Sequence, residues 1–308
     1  MACESVVKRY EGNPIVTPQD VPGGCDGVFN GAVISYGEEY RGIFRVEVAP
    51  GYSQFRLATS RDGIHFEVDS KDIVFQSTDP DMAPGSFIYD PRITKLEGRY
   101  YITYCNVYHG PAIGLAETQD FKTFHQICNP FPPNNRNAVL FPRRIKGKFV
   151  MFHRPCDAGH TTRGDIFCSS SEDLIHWGEH RFVFGPGRGW QSLKVGAGPP
   201  PIETEEGWLL IYHGVRQTCS GYIYSVGAAL LDLEEPWRVI YRTNKRYLMA
   251  PTEDYERVGN VPNVVFPTSA ILDEKTGRLS IYYGGADTVM ALAFAEIKEI
   301  IDFVKDNN

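Results

Sequence analysis

A strand-like run that ends in a Gly-containing turn, followed by a second run rich in aromatic and branched residues, recurs five times in this chain. The second runs are residues 40–47 (YRGIFRVE), 100–106 (YYITYCN), 149–154 (FVMFHR), 208–213 (WLLIYH) and 279–285 (LSIYYGG). A third run follows each: FRLATSRDGIHF from Phe55, IGLAETQDFKTF from Ile113, IFCSSSEDLIHW from Ile166, YSVGAALLDLEEPW from Tyr224 and MALAFAEI from Met290. Units that repeat at this scale bury their apolar faces against one another, so the pattern implies a stacked or radial array.

The runs are short, β-branched and aromatic, with turn residues between them, which predicts an all-β fold. Five units of three or four strands fit a five-bladed β-propeller, which closes radially and leaves few open edges. The turn glycines Gly98, Gly147, Gly207 and Gly277 lie roughly 50–70 residues apart, long for a blade period, so insertions are expected at 69–85, 129–135, 185–192 and 244–258. The C-terminus departs from the β pattern. Ile297, Ile300, Ile301 and Val304 recur at helical spacing, with Glu296, Lys298, Glu299 and Asp302 on the other side. We expect one propeller domain over residues 1–308, including a C-terminal helix over about 296–305. That helix either docks on the propeller or makes a subunit contact, and a homo-oligomer is expected from it.

The formal net charge is -7 with no long Lys/Arg tract, which argues against a nucleic-acid partner. No apolar run reaches the length of a membrane span, and the N-terminus MACESVVKRYEG has no apolar signal core, so a soluble cytoplasmic protein is expected. The seven Cys are scattered without a CxxC pair, as reduced thiols are.

In a propeller the inner strands surround a central channel, and their ends form the ligand site. Starts of the inner runs hold Asn30, Asp90, Arg136 with Asn137, the Gly196–Pro199 stretch and Asn263; ends of the second runs hold Arg45, Asn106 with His109, Arg154, His213 and Asp287. Taken singly, an Asn or Asp before a strand is a common turn former. Recurrence at matching places in the repeats gathers them into one channel. Glycoside hydrolysis ordinarily uses two carboxylates. Here Asp90, in YDPRI, is the best acid, and Asp287 is either a second carboxylate or a sugar-hydroxyl ligand. The basic set Arg136, Arg154, Lys194 and His213 suits an oxyanion. Phosphate is already anionic and needs cations rather than a general base, so one acid opposite a cationic pocket suggests phosphorolysis.

Other signals are weaker. His176-x3-His180 has the spacing of metal ligands but falls in a hairpin, so no metal is expected. No Walker loop or dinucleotide fingerprint is present. GRGW at 187–190 reads as a flexible active-site loop. Tyr108, Trp190, Tyr224 and Phe266 are candidates for stacking on sugar rings.

The motifs FNGAV (29–33), YDPRI (89–93), YCNVYHGP (104–111), NRNAVLFPRRI (135–145), HRP (153–155), KVGAGPPP (194–201), GWLLIYHGV (207–215) and YYGGADT (282–288) together resemble the β-mannoside phosphorylases of glycoside hydrolase family 130, nearly end to end. The resemblance implies a five-bladed propeller and an inverting phosphorolysis that yields α-mannose 1-phosphate, with no cofactor besides phosphate as co-substrate. It implies that Asp90 is the general acid, its proton reaching the glycosidic oxygen through the 3-hydroxyl of the mannosyl unit. Arg136, Asn137, Arg154, Lys194 and His213 fall on positions associated with phosphate and its surroundings; Asn30, Arg45 and Asp287 fall on mannosyl-binding positions. Hydrolytic relatives replace the basic set with acidic residues, and this chain keeps it. The linkage leans to β-1,2-mannobiose or short β-1,2-mannooligosaccharides, with β-1,4-mannosides or β-1,4-mannosyl-N-acetylglucosamine as the alternative. Segments 79–87, 161–163 and 188–191 are expected to shape the acceptor end. Two rivals are a β-mannosidase, which would turn over without phosphate, and a non-catalytic sugar-binding propeller, which would leave mannosides intact.

Overall fold

The computed structural model describes residues 5–49, 51–79, 85, 87–156 and 164–308. Its strands form five sheets, antiparallel apart from one short parallel pairing in blade 2, arranged as the blades of a propeller. Blade 1 runs from its inner strand Gly27–Tyr36 through Glu39–Ala49 and Tyr52–Ser60 to Glu67–Asp72. Blade 2 has Tyr89–Leu96, Arg99–Asn106, Ala112–Thr118 and Phe124–Cys128, and Phe75–Gln76 adds in parallel to its outer edge. Blade 3 has Asn135–Leu140, Phe149–Pro155, Ile166–Ser171 and Trp177–Phe184. Blade 4 has Lys194–Ala197, Gly207–Thr218, Gly221–Leu231 and Val239–Arg242, with Ile202–Thr204 also on its second strand. Blade 5 has Val265–Leu272, Arg278–Gly285 and Val289–Glu296, and its outer strand is Lys8–Arg9 from the other end of the chain.

The core is divided among the spaces between blades. Ile43 and Phe55 of blade 1 meet Ile102 and Tyr104 of blade 2. Similar clusters lie between blades 2 and 3, 3 and 4, 4 and 5, and 5 and 1. A middle strand therefore buries both faces, which is why Gly207–Thr218 reads as a near-continuous apolar run rather than an alternation. The turn glycines Gly98, Gly147 and Gly277 have φ near +80°, where a side chain would be strained. The interval 69–85 is only partly an insertion, since it overlaps the outer strand of blade 1 and contains Phe75–Gln76. The C-terminal helix spans Ile297–Asp306, and Ile300, Ile301 and Val304 pack into the cluster between blades 4 and 5. Its apolar stripe is thus occupied within the chain.

Closure of the ring is held by a buried carboxylate. Glu256, fully buried on the short helix Asp254–Arg257, accepts from Arg9 Nε at 2.6 Å and Arg9 Nη2 at 2.9 Å. It also accepts from Tyr283 Oη at 2.9 Å and from the backbone N–H of Thr252 at 2.8 Å. Arg9 lies on the N-terminal strand and Tyr283 on blade 5, so one side chain ties the first strand, the last blade and the blade 4–5 linker together. Glu256→Ala removes the carboxylate that the partly buried Arg9 pairs with, leaving Arg9 Nη2 only the Ala250 carbonyl and Tyr283 Oη only Tyr255 Oη, and should destabilise the fold by about 3–5 kcal/mol. Urea unfolding checks this; a loss below about 1 kcal/mol would mean that closure rests on the apolar contacts alone.

Candidate active site

Four of the five inner strands break their ladders near the site, while that of blade 4, Lys194–Ala197, pairs without interruption. Register shifts fall between Phe29 and Ala32, Tyr89 and Arg92, Arg136 and Val139, and Pro267 and Ser269. In three of these bulges a polar residue stands in the left-handed region: Asn30 at φ 48°, Asp90 at 52° and Asn137 at 53°. That conformation costs about 1–2 kcal/mol for an ordinary residue and least for Asn and Asp. Bulges re-aim side chains, and here they turn Asn30, Asp90 and Asn137 toward the central channel, all three lining a cavity of about 370 Å³.

Of the residues expected from sequence, the cavity gathers Asn30, Arg45, Asp90, Arg136, Asn137, Arg154, Lys194, His213, Tyr224, Phe266 and Asp287. Asn106, Tyr108 and His109 do not line it. Asn106 is buried, donates to Asn129 Oδ1 at 3.0 Å and accepts from the Tyr108 N–H at 3.1 Å, so it shapes the loop whose Val107 and Pro111 reach the cavity. Trp190 is a core residue stacked at 5.8 Å on Tyr212, and the GRGW segment forms a 3-10 turn at Gly189–Gln191 rather than an open loop over the site. Asn263 precedes its strand, and its carbonyl accepts from Tyr224 N–H, leaving Val264 at the cavity. Segment 161–163 and most of 79–87 lie outside the described residues. Phe87, Tyr89, Val261 and Val264 are lining residues that sequence reasoning did not single out. Glu47 was missed too, although it stands two residues after Arg45 on one strand, hence on the same face.

The polar groups divide into two halves. On one side Asp90 Oδ1 accepts from Asn30 Nδ2 at 2.9 Å and from Arg45 Nη1 at 2.9 Å, leaving Oδ2 without a donor among the described residues. Arg45 also pairs with Glu47 and lies 4.3 Å over the Phe29 ring. Burial lowers the Arg45 pKa, but Asp90, Glu47 and Asp287 outweigh it and the net shift is upward. Asp287, at φ 47°, is pushed up to about 7, first by loss of solvent, with Asp90 and Glu47 adding to it against Arg45.

On the other side stand Arg136, Arg154 and Lys194, none of which forms an ion pair with a described residue. Arg136 and Arg154 are direct cross-strand partners, an arrangement that like charges disfavour. Arg154 Nη1 lies 3.0 Å from His213 Nε2. A guanidinium only donates, so Nε2 accepts and the His213 proton sits on Nδ1. Burial, then Arg154, Arg92 and Lys194, hold His213 well below its usual range and keep it neutral. Lys194 is pushed down to about 8 by burial and then by Arg154 and Arg136. The buried donors Arg136 Nε, Arg154 Nε and His213 Nδ1 have no hydrogen-bond partner among the described residues, and each such group costs about 1–3 kcal/mol. The approach of these groups requires glycine at 196: a Cβ there would stand 2.6 Å from the His213 ring and 2.8 Å from Arg154 Nη1. Among the described residues no His/Cys/Asp/Glu group could hold a metal ion.

One half therefore offers the free Oδ2 of Asp90, with Asn30, Arg45 and the carboxyl of Asp287 around it. The other offers cations and orphan donors that an anion with several oxygens would satisfy. Comparisons with known proteins agree. A family model described as beta-1,4-mannooligosaccharide phosphorylase matches residues 3–306. The beta-1,4-mannooligosaccharide phosphorylase of Ruminococcus albus is 47% identical over 313 residues, covering 99% of this chain and 93% of that protein. The beta-1,2-mannobiose phosphorylase of Listeria innocua is 33% identical, covering 96% of this chain and 97% of that protein. A solved structure of the Listeria innocua enzyme with β-1,2-mannobiose superposes with a TM-score of 0.86 over 97% of this chain and 99% of that one, at 32% identity. With its family model matched over nearly its whole length, the chain belongs to glycoside hydrolase family 130.

Proposed function

We propose that this chain is an inverting phosphorylase of β-mannosides, with β-1,4-mannooligosaccharides as its preferred substrates. The observation that carries it is the separation of one acid, Asp90, from Arg136, Arg154 and Lys194, cations that pair with no carboxylate among the described residues. A hydrolase of the inverting type needs a second carboxylate to activate water. Asp287 stands beside Arg45 and Asp90 on the acid side, not among the free cations, which supports its role as a mannosyl-hydroxyl ligand.

In this reading Arg136, Arg154, Lys194 and the Nδ1–H of His213 hold phosphate, with Asn137 and Tyr224 beside them. Asn30, Arg45 and Asp287 hold the mannosyl unit, and Phe266 offers it an apolar face. A phosphate oxygen bonds to the anomeric carbon from the face opposite the leaving group. The bond from that carbon to the glycosidic oxygen breaks, and this oxygen takes a proton originating on Asp90 Oδ2, relayed through the mannosyl 3-hydroxyl. The products are α-mannose 1-phosphate and a sugar one unit shorter; Asp90 regains its proton from solvent. Positioning and charge compensation supply the catalysis, and phosphate is the only co-substrate.

The linkage rests on similarity. The sequence alone leans to β-1,2, but 47% identity to a relative named for β-1,4-mannooligosaccharides, against 33% to one named for β-1,2-mannobiose, moves the proposal to β-1,4. Incubation with phosphate and each of β-1,4-mannobiose, β-1,4-mannotriose and β-1,2-mannobiose tests it: the β-1,4 sugars should give the higher kcat/KM, and a preference for β-1,2-mannobiose would reverse the assignment.

Two further outcomes concern the phosphate half. Arg154→Ala removes charge-assisted bonds worth about 1.5–3 kcal/mol and should raise the KM for phosphate about 10- to 100-fold; an unchanged phosphate dependence would place the anion elsewhere. Because Lys194 is pushed down to about 8, it loses its charge as pH rises through that value in the free enzyme. The kcat/KM for phosphate should fall above pH 8 in the native protein and stay level in Lys194→Arg, whose charge persists. A limb that survives in the Arg variant would belong to another group.

A further inference from the structure

One residue of the YDPRI motif touches neither the cavity nor solvent. Arg92 is fully buried, and its guanidinium makes no ion pair with a described residue. Nε donates to the carbonyl of Gly198 at 2.7 Å, and Nη1 donates to the carbonyls of Asp90 at 2.8 Å and Pro91 at 3.2 Å. Its Cζ lies 5.3 Å from the centre of the Phe266 ring. Nη2 has no partner. A buried cation without a carboxylate is an expensive way to fill space, and an apolar side chain of similar size would commonly stabilise the fold more. Its retention calls for a task.

The contacts name that task. Asp90 stands in a bulge at φ 52°, and the next residue, Pro91, has no N–H with which to anchor the bulge. Arg92 instead grips both carbonyls of the bulge. The Asp90 carboxyl is held from the far side by Asn30 and Arg45 of blade 1, so the acid is fixed at both ends. The third carbonyl, of Gly198, belongs to the blade 4 segment whose Gly196 lies against His213 and Arg154. One guanidinium thereby ties the blade 2 bulge that carries Asp90 to the blade 4 segment beside His213 and Arg154.

We propose that Arg92 is a positioning residue that holds the Asp90 bulge in register for proton delivery. The inference rests on Asp90 being the acid. It predicts a loss that depends on the leaving group. A β-mannoside whose leaving group is a sugar needs the proton; a 2,4-dinitrophenyl β-mannoside leaves as a stable anion and does not.

Arg92→Met, Arg92→Lys and Asp90→Asn are compared with the native protein on both substrates, with saturating phosphate. Arg92→Met should lose about 10²–10³-fold in kcat on β-1,4-mannobiose, the size of a general-acid contribution, and less than about tenfold on the dinitrophenyl mannoside. Arg92→Lys, which keeps the charge and one donor, should recover part of the loss. Asp90→Asn should show the same dependence on leaving group. Equal losses on both substrates in the Arg92 variants, or no loss, would overturn the proposal while Asp90→Asn still discriminates. If Asp90→Asn does not discriminate, the acid assignment falls and the role of Arg92 falls with it. Should Arg92→Met fail to fold, Arg92→Lys carries the comparison.

Discussion

The site depends on a backbone event repeated around the channel: an inner strand bulges, and the residue at the bulge turns left-handed. Asn30, Asp90 and Asn137 occupy that position in three blades. A regular strand would send alternate side chains into the inter-blade cores and could not aim so many polar groups at one point. The strain is affordable because each bulge is braced. Asp90 is held by Asn30, Arg45 and Arg92, and the Asn137 N–H meets Cys105 Sγ at 3.5 Å. The apolar clusters between blades, together with the Glu256 latch, keep the strands that carry these bulges in place.

The electrostatics follow from the same placement. The blade 1 and blade 2 side of the cavity is internally neutralised, because Arg45 faces Asp90 and Glu47. The blade 3 and blade 4 side is not: Arg136, Arg154 and Lys194 crowd a neutral His213. Burial first, and then the neighbouring cations Arg154 and Arg136, lower the proton affinity of Lys194. A bound dianion would reverse each of these penalties at once. Under the proposed function, this asymmetry is what would suit the site to phosphate rather than water, and it needs no difference in fold.

Much of this was legible in the sequence, for a physical reason. Blades that bury both faces write themselves as apolar runs, so Trp208 to Val215 and Leu279 to Tyr283 announce middle strands. The turn glycines mark the hairpins. The C-terminal helix shows its period and begins within a residue of its expected start. What sequence could not show is which polar residue at a strand end turns inward. Asn106 sits at a strand end as Arg45 and Arg154 do, yet its amide is taken up by Asn129 and by the Tyr108 N–H. Trp190 is flanked by glycine and arginine as an exposed loop residue would be, yet it packs on Tyr212. The bulges are set by register against a partner strand, which no local pattern records. The sequence shows Arg92 only as part of its motif, because its three acceptors are backbone carbonyls on two blades.

The central claim is that the uncompensated cations exist to bring phosphate, not water, to the anomeric carbon. The most direct measurement is to follow β-1,4-mannobiose by NMR with the protein, in the presence and absence of inorganic phosphate. The account predicts that α-mannose 1-phosphate appears as the first-formed product, at a rate that saturates with phosphate, and that the sugar stays intact without it. Release of free mannose at a rate indifferent to phosphate would contradict it.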